Sequence, residues 1–375
     1  MHPVLPVFLG IAVEEQIVEL RAYLITNGAS LEQKGPDDLS QNLEEIFSVS
    51  NECFRSCNDS EISGFLNSLL SLIFSLNESR DNVVCSFVEF LMKMDSHVIL
   101  RHKILNTLFC GLHNLDPIRY NVYCSQLELA SKTGFLEMVT IDIDQVKTWL
   151  TGWDNIEKSR NIYRLLHNAL VNNGQKEKSL EVMIELLRTF PEDNASEAKQ
   201  DASDCIVSFI DKPNIWLFDH LLELGPIKSL KGELIYKLLE IFISGNIHDY
   251  MKFYDENSNF LSSTGLNHEK NMTKMRILSF VSLVNKWEEI SFEDLSKELQ
   301  INLADVESFI IDVLKTRLAR VRIDQLKGTI ITSSAAHRTF GNKQWLSLQD
   351  KLQEWQANLQ TVQKQLVDIQ PLHST

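Results

Sequence analysis

From about Glu14 to Lys286 the chain repeats one theme: a stretch of roughly 10 to 18 residues with apolar side chains at helical spacing, then a short breaker. No strand-like alternation interrupts it. The breakers fall at Gly111, Asp116-Pro117, Gly134, Gly152, Gly174, Pro191, Lys212-Pro213, Gly225-Pro226, Gly245 and Gly265, which spaces helix pairs about 35 to 45 residues apart. This cadence predicts a mainly α chain whose larger part is a helical-repeat solenoid. Asn194 followed by Glu197 predicts a capping box, and Pro117 suits a first helical turn.

The pattern changes after Lys286. Ser291 with Asp294, and Asn302 with Asp305, are two successive capping signals that predict helices from about Phe292 to Leu299 and from Leu303 to Leu318. Arg320 to Asp324 then alternates polar and apolar residues, Gln325 to Gly328 reads as a turn, and Thr329 to Thr332 is again β-prone. Two helices and a hairpin make a winged helix. The expected organisation is therefore N-terminal helical repeats over 1–115, further repeats over 116–286, a winged helix over 287–341 and a C-terminal helix over 342–375.

The last segment carries the sharpest periodicity. Trp345, Leu348, Leu352, Trp355, Leu359, Val362, Leu366 and Ile369 step by 3, 4, 3, 4, 3, 4 and 3, a heptad seam. Burying eight such side chains is worth very roughly 12 to 24 kcal/mol as an upper bound, at about 1.5 to 3 each, so a cover is expected. The flanks, among them Gln349, Lys351, Gln356, Asn358, Gln363 and Gln365, hold little charge to select a two-stranded partner. Two tryptophans suit a mixed helical bundle better than a regular dimer, with packing on its own domain as the alternative.

Composition agrees with a folded, helical chain. Only 14 Gly and 8 Pro break it, and hydrophobic residues make up 44%. A net charge of −15 removes any chain-wide preference for phosphate backbones, which leaves protein partners as the default and nucleic acid only through a local basic patch. The apolar N-terminus contains Pro3 and Pro6, lacks a leading Lys or Arg, and runs into Glu14 and Glu15, unlike a signal peptide. The longest uncharged stretch, Ile62 to Asn77, is too short and too rich in Ser and Asn to span a bilayer, and reads as a core helix. Cys53, Cys57, Cys85, Cys110, Cys124 and Cys205 lie mostly in apolar helical stretches, as buried thiols in a reducing compartment do.

Catalytic patterns fail in turn. His97 and His102 have no acidic cluster, and the zincin spacing is absent. Cys53 and Cys57 would share a helix face but lack a second pair for a tetrahedral metal site, so neither metal nor cofactor is expected. There is no Gly-x-Ser-x-Gly elbow, Cys110 near His113 reads as core packing, and no glycine-rich phosphate loop occurs. A non-enzyme follows.

A winged helix can read DNA through its second helix. Here Val306, Phe309, Ile310, Val313 and Leu314 form the inward stripe, leaving Glu307, Ser308, Ile311, Asp312 and Lys315 outward, an acidic face that opposes sequence-specific DNA reading. The wing side differs: Lys315, Arg317, Arg320, Arg322, Lys327, Arg338 and Lys343 stand against Asp312 and Asp324 alone. Lys315, Arg317, Arg320, Arg322 and Lys327 are candidates for weak RNA or partner contact. Arg320 and Arg322 alternate with Val321 and Ile323 as on any solvated strand, and no aromatic is interleaved to stack bases.

Helical repeats leading into a winged helix and a C-terminal helix resemble the PCI-domain family, the scaffold shared by the proteasome lid, the COP9 signalosome and eukaryotic translation initiation factor 3. Within it, the matching stretches begin with Glu19-Leu20-Arg21-Ala22-Tyr23-Leu24, Arg119-Tyr120 with Val122-Tyr123-Cys124, and Asp193-Asn194-Ala195-Ser196. Leu217-Phe218-Asp219-His220-Leu221-Leu222, Gly232-Glu233-Leu234-Ile235, His268-Glu269 before Asn271-Met272, Glu298-Leu299-Gln300-Ile301 and His337-Arg338-Thr339-Phe340-Gly341 follow in order. Together these stretches resemble the subunit M branch of the initiation factor, while the region around Gln33 to Asp59 and Lys270 depart from that pattern. The resemblance implies a right-handed, TPR- or HEAT-like solenoid before the winged helix, and a non-catalytic, cytoplasmic scaffold subunit assembling with other PCI and MPN subunits through its winged helix and C-terminal helix, and supporting 40S binding, initiator-tRNA delivery and mRNA recruitment. A signalosome or proteasome-lid subunit, or an RNA-binding module acting through the wing, are the alternatives.

Overall fold

A computed structural model describes residues 12–31, 39–54, 58–76, 80–94, 96–113, 116–153 and 155–369. The chain forms two compact units, Met1–Thr189 and Phe190–Thr375. In the first, the helices are α1 (Val13–Thr26), α2 (Leu39–Cys53), α3 (Asp59–Ser75), α4 (Arg80–Lys93), α5 (Val98–Gly111), α6 (Ile118–Thr133), α7 (Ile143–Trp153), α8 (Ile156–Asn172) and α9 (Lys176–Arg188). Contacts run between near neighbours in the chain: α1 meets α2 and α3, α2 meets α4, α3 meets α5, α4 and α5 meet α6, and α6 meets α8. Such local stacking is how helical repeats build a continuous core from elements that cannot bury a face alone.

The uncharged stretch singled out in the sequence is helix α3, with Ile62, Phe65, Leu66, Leu69, Leu70, Leu72 and Ile73 buried. Its Phe65 joins an aromatic cluster with Tyr23 and Phe54, and Phe54 in turn meets Phe90. Two arginines of the family-like stretches are structural. Arg21, 1% exposed, donates to Asn42 Oδ1 at 2.7 Å and pairs with Glu45 at 2.9 Å, tying α1 to α2. Arg119 lies with its guanidinium 4.1 Å from the Phe109 ring centre and 5.2 Å from that of Trp149.

The second unit contains α10 (Lys199–Asp211), α11 (Gly225–Ser229), α12 (Leu234–Ser244), α13 (Ile247–Ser263), α14 (His268–Val284), β1 (Glu289–Ser291), α15 (Phe292–Leu299), α16 (Val306–Lys315), β2 (Ala319–Asp324), β3 (Thr329–Ala335) and α17 (Asn342–Ile369). The expected capping box at Asn194 does not form: Asn194 sits inside a 3-10 helix, Glu192–Ala198, with non-helical φ and ψ, and α10 starts only at Lys199.

The winged helix is a three-stranded antiparallel sheet in the order β1-β3-β2, with α15 and α16 packed on it. Helix α15 spans the predicted residues, and Ser291 Oγ accepts from the Asp294 N–H at 3.1 Å. The second predicted helix is shorter than expected. Leu303–Asp305 is a 3-10 turn without a side-chain cap, and α16 ends at Lys315, with Arg317 in the left-handed region at φ 60°. Gly328, at φ 64°, closes the hairpin turn in a conformation that a side chain disfavours. Ile290, Leu295, Leu299, Val306, Ile310, Val313 and Ile330 fill the core, while Phe309 and Leu314 are only half-buried against it. Strand β1 carries no pattern of its own and exists through its register with β3, Ile290 opposite Ile330.

Candidate interaction surfaces

Helix α17 begins where the Gln344 side chain turns back to accept the Gly341 N–H at 3.0 Å, while the Gly341 carbonyl receives the Gln344 and Trp345 N–H groups at 3.0 and 3.1 Å. Trp345 is steadied by an edge-on contact with Phe340, ring centres 4.9 Å apart. From there the heptad residues line one side of the helix. Trp345, Leu348, Leu352, Trp355, Leu359, Val362 and Leu366 are all exposed, between 41% and 69%, so among the described residues no element covers them. The side chain of Ile369 lies outside the described residues. A continuous apolar stripe of this length exceeds the scattered apolar groups of an ordinary surface.

The five basic candidates, Lys315, Arg317, Arg320, Arg322 and Lys327, are all exposed. Lys315 is shared with Asp312, Nζ to Oδ1 2.7 Å. Arg320 and Arg322 stand on β2, one of the two edge strands of the sheet, beside a bulge at Arg320/Val321, where charge keeps an open edge from pairing indiscriminately. On α16 the outward face holds Ser308, Ile311, Asp312 and Lys315, and Glu307 accepts from Gln325 Nε2 at 3.3 Å.

Arg338, counted in sequence among the wing cations, is not on the wing surface. Only 8% exposed, it aims its guanidinium at the C-terminal end of α12. Nη1 donates to Gly245 O at 2.8 Å and to Ser282 Oγ at 3.1 Å, and Nη2 to Phe242 O at 2.7 Å and Ile241 O at 3.3 Å. A cation there completes orphan carbonyls and opposes the negative end of the helix dipole. Burial pulls its pKa down to about 10, which leaves it charged at neutral pH. Lys274 on α14 does the same for α10, with Nζ 3.0 Å from both Phe209 O and Ile210 O and 2.6 Å from Lys212 O. The ammonium also lies 4.8 Å from the Phe218 ring centre. Burial pulls its pKa down to about 7, while Asp211 acts the other way. Sequence reasoning missed both roles, and the only available signal was a basic residue inside an otherwise apolar or family-like stretch.

Elsewhere the candidate residues are dispersed. His102 is buried against Thr133, Nε2 to Oγ1 2.9 Å, and burial lowers its pKa. Cys110 is exposed rather than in the core, and Cys85 and Cys124 are half-buried, which corrects the expectation for those thiols; Cys205 is buried as expected. The Cys53 side chain and Cys57 lie outside the described residues. Among the described residues no group of three or more His, Cys, Asp or Glu could hold a metal ion, and no helix is long and apolar enough to cross a membrane.

Comparison with known families adds to this geometry. The PCI domain model matches residues 250–334, the stretch from α13 through the winged helix, so the chain is of the PCI-domain class. The model described as eIF3 subunit M, C-terminal helix matches residues 338–364, from the buried Arg338 along most of the exposed stripe. Proteins named eukaryotic translation initiation factor 3 subunit M are similar over nearly the whole chain. The sea anemone Nematostella vectensis protein is 39% identical, covering 99% of each chain. The zebrafish Danio rerio protein is 40% identical, covering 98% of this chain and 99% of its own. The human protein is 39% identical, covering 97% and 98%. The chain belongs to the eukaryotic translation initiation factor 3 subunit M family.

Proposed function

We propose that the chain is a non-catalytic scaffold subunit of cytoplasmic initiation factor 3, held in the complex by the stripe on α17 and by its winged helix. The observation that carries this reading is the uncovered row from Trp345 to Leu366, whose heptad spacing demands an apolar partner surface that the described residues of its own chain do not offer. Other helices presented by PCI and MPN subunits meet that demand in a mixed bundle, and the 40S ribosomal subunit is reached through the assembled complex. In this reading the chain divides into repeats over 1–115 and 116–286, a winged helix over 287–341 and the bundle helix over 342–375.

The test is affinity capture of the tagged full-length chain beside a version ending at Gly341. Initiation-factor subunits and 40S proteins should accompany the full chain and be lost on truncation. Recovery of the same partners by the truncated chain would refute the role of α17, and recovery of signalosome or lid subunits instead would overturn the assigned complex.

A second reading rests on the exposed cations of the wing, Lys315, Arg317, Arg320, Arg322 and Lys327, which support a weak RNA contact. Charge reversal at Arg320 and Arg322 should then remove RNA crosslinking while sparing assembly.

A further inference from the structure

On another part of the winged helix, an exposed tryptophan sits in an acidic groove that neither α17 nor the basic wing explains. Trp287 is 61% exposed, yet its backbone is fixed. Its N–H donates to Leu283 O at 3.1 Å, extending the last turn of α14, and its carbonyl accepts from Thr332 Oγ1 at 3.0 Å. The next carbonyl, of Glu288, accepts from the Thr332 N–H at 2.8 Å. The indole is therefore presented from a backbone pinned to β3 and not from a free loop. Around it lies a groove of about 410 Å³ with an apolar floor of Leu283 and Ile290 and carboxylates at Glu289, Asp294 and Glu298. Asp294 and Glu298 are one turn apart on the same face of α15, and among the described residues Lys297 is the one cation lining the groove.

An aromatic face ringed by carboxylates is matched to a positive side chain that carries apolar stem or neighbours. The ring quadrupole attracts the cation, and the carboxylates accept its N–H groups. A guanidinium suits it better than an ammonium because its plane stacks on the indole while its fork reaches carboxylates. The same carboxylates repel phosphate, which argues against RNA here. We propose that this groove is a docking site for an arginine-bearing, partly apolar segment of a partner polypeptide, with Trp287 as the anchor and Glu289, Asp294 and Glu298 as the charge-reading rim. The site is separate from the α17 stripe, so each can fail without the other.

Fluorescence anisotropy on the purified full-length chain tests this with three probes. They are a short labelled peptide alternating arginine and leucine, the same peptide with glutamate in place of arginine, and an unlabelled oligouridine competitor. The arginine peptide should bind and weaken as salt rises, and the glutamate peptide should not bind. Trp287→Ala, and separately Asp294→Lys with Glu298→Lys, should each weaken the arginine peptide by about tenfold or more, the loss expected of an anchor residue. Trp355→Asp should leave its binding unchanged. Absence of binding, equal binding by the glutamate peptide, indifference to both groove variants, or displacement by oligouridine would each overturn the proposal. Circular dichroism of the variants separates loss of the site from loss of the fold.

Discussion

Replacing Arg338 with Met isolates what one buried cation does for the junction between the winged helix and the preceding repeats. The aliphatic stem keeps its volume, but Ile241 O, Phe242 O and Gly245 O lose a charged donor and Ser282 Oγ loses a partner. Hydrogen bonds to charged groups contribute about 1.5–3 kcal/mol each, and a carbonyl left buried without a donor costs about 1–3 kcal/mol. Two terms act the other way. The guanidinium no longer has to be desolvated, the same burial that lowers its pKa, and its Nε, buried without a hydrogen bond, is removed. The net expected loss is about 2–4 kcal/mol. In a unit of this size each kcal/mol moves Tm by about 2–4 °C. Thermal melting and hydrogen exchange on the full-length protein would report it, with the lost protection concentrated at the C-terminal turn of α12. Arg338→Lys should recover only part of the loss, since an ammonium has three donors at one point whereas the planar fork spreads its donors over three carbonyls and a hydroxyl. A Met variant within about 0.5 kcal/mol of wild type, the range of an ordinary surface change, would refute the assignment of Arg338 as a helix cap.

The opposite outcome is expected for Trp355→Asp, or Leu352→Asp with Leu359→Asp: stability of the isolated chain within about 0.5 kcal/mol of wild type because these side chains are already exposed, but loss from the assembled complex on affinity capture. Lys274 predicts a pH signature. Its folded pKa of about 7 lies below that of an unfolded lysine, so proton binding favours the unfolded chain and the penalty, full below pH 7, is relieved as pH rises above it. The wild-type stability minus that of Lys274→Met, measured by urea titration at several pH values between neutral and pH 9, should therefore grow with pH, and a flat or falling difference would contradict the burial argument. Arg320→Glu with Arg322→Glu should leave the melting temperature unchanged, both being exposed, and should abolish crosslinking to RNA if the wing contacts it.

The heptad steps of α17, the Ser291 cap of α15 and the turn ending at Gly328 were legible because each is a local pattern whose physics acts within a few residues. Helix-period apolar spacing likewise determined that the chain is mostly helical, since few other arrangements bury such stripes. Local signals also misled where competition was local. Asn194 resembled a cap but falls in a 3-10 helix, and Asn302 resembled one but leads into a single 3-10 turn. The roles of Arg338 and Lys274 could not be read in advance. Both are cations that the sequence alone would leave in water, and each is drawn inside because a helix C-terminus from a distant part of the chain lies opposite it. Strand β1 needs β3 to exist, and Trp287 gains meaning only from the α15 carboxylates that the fold brings beside it. Periodicity acts between neighbours and is written in the sequence; the burial of a charge depends on which orphan carbonyls the fold sets against it, and only tertiary structure decides that.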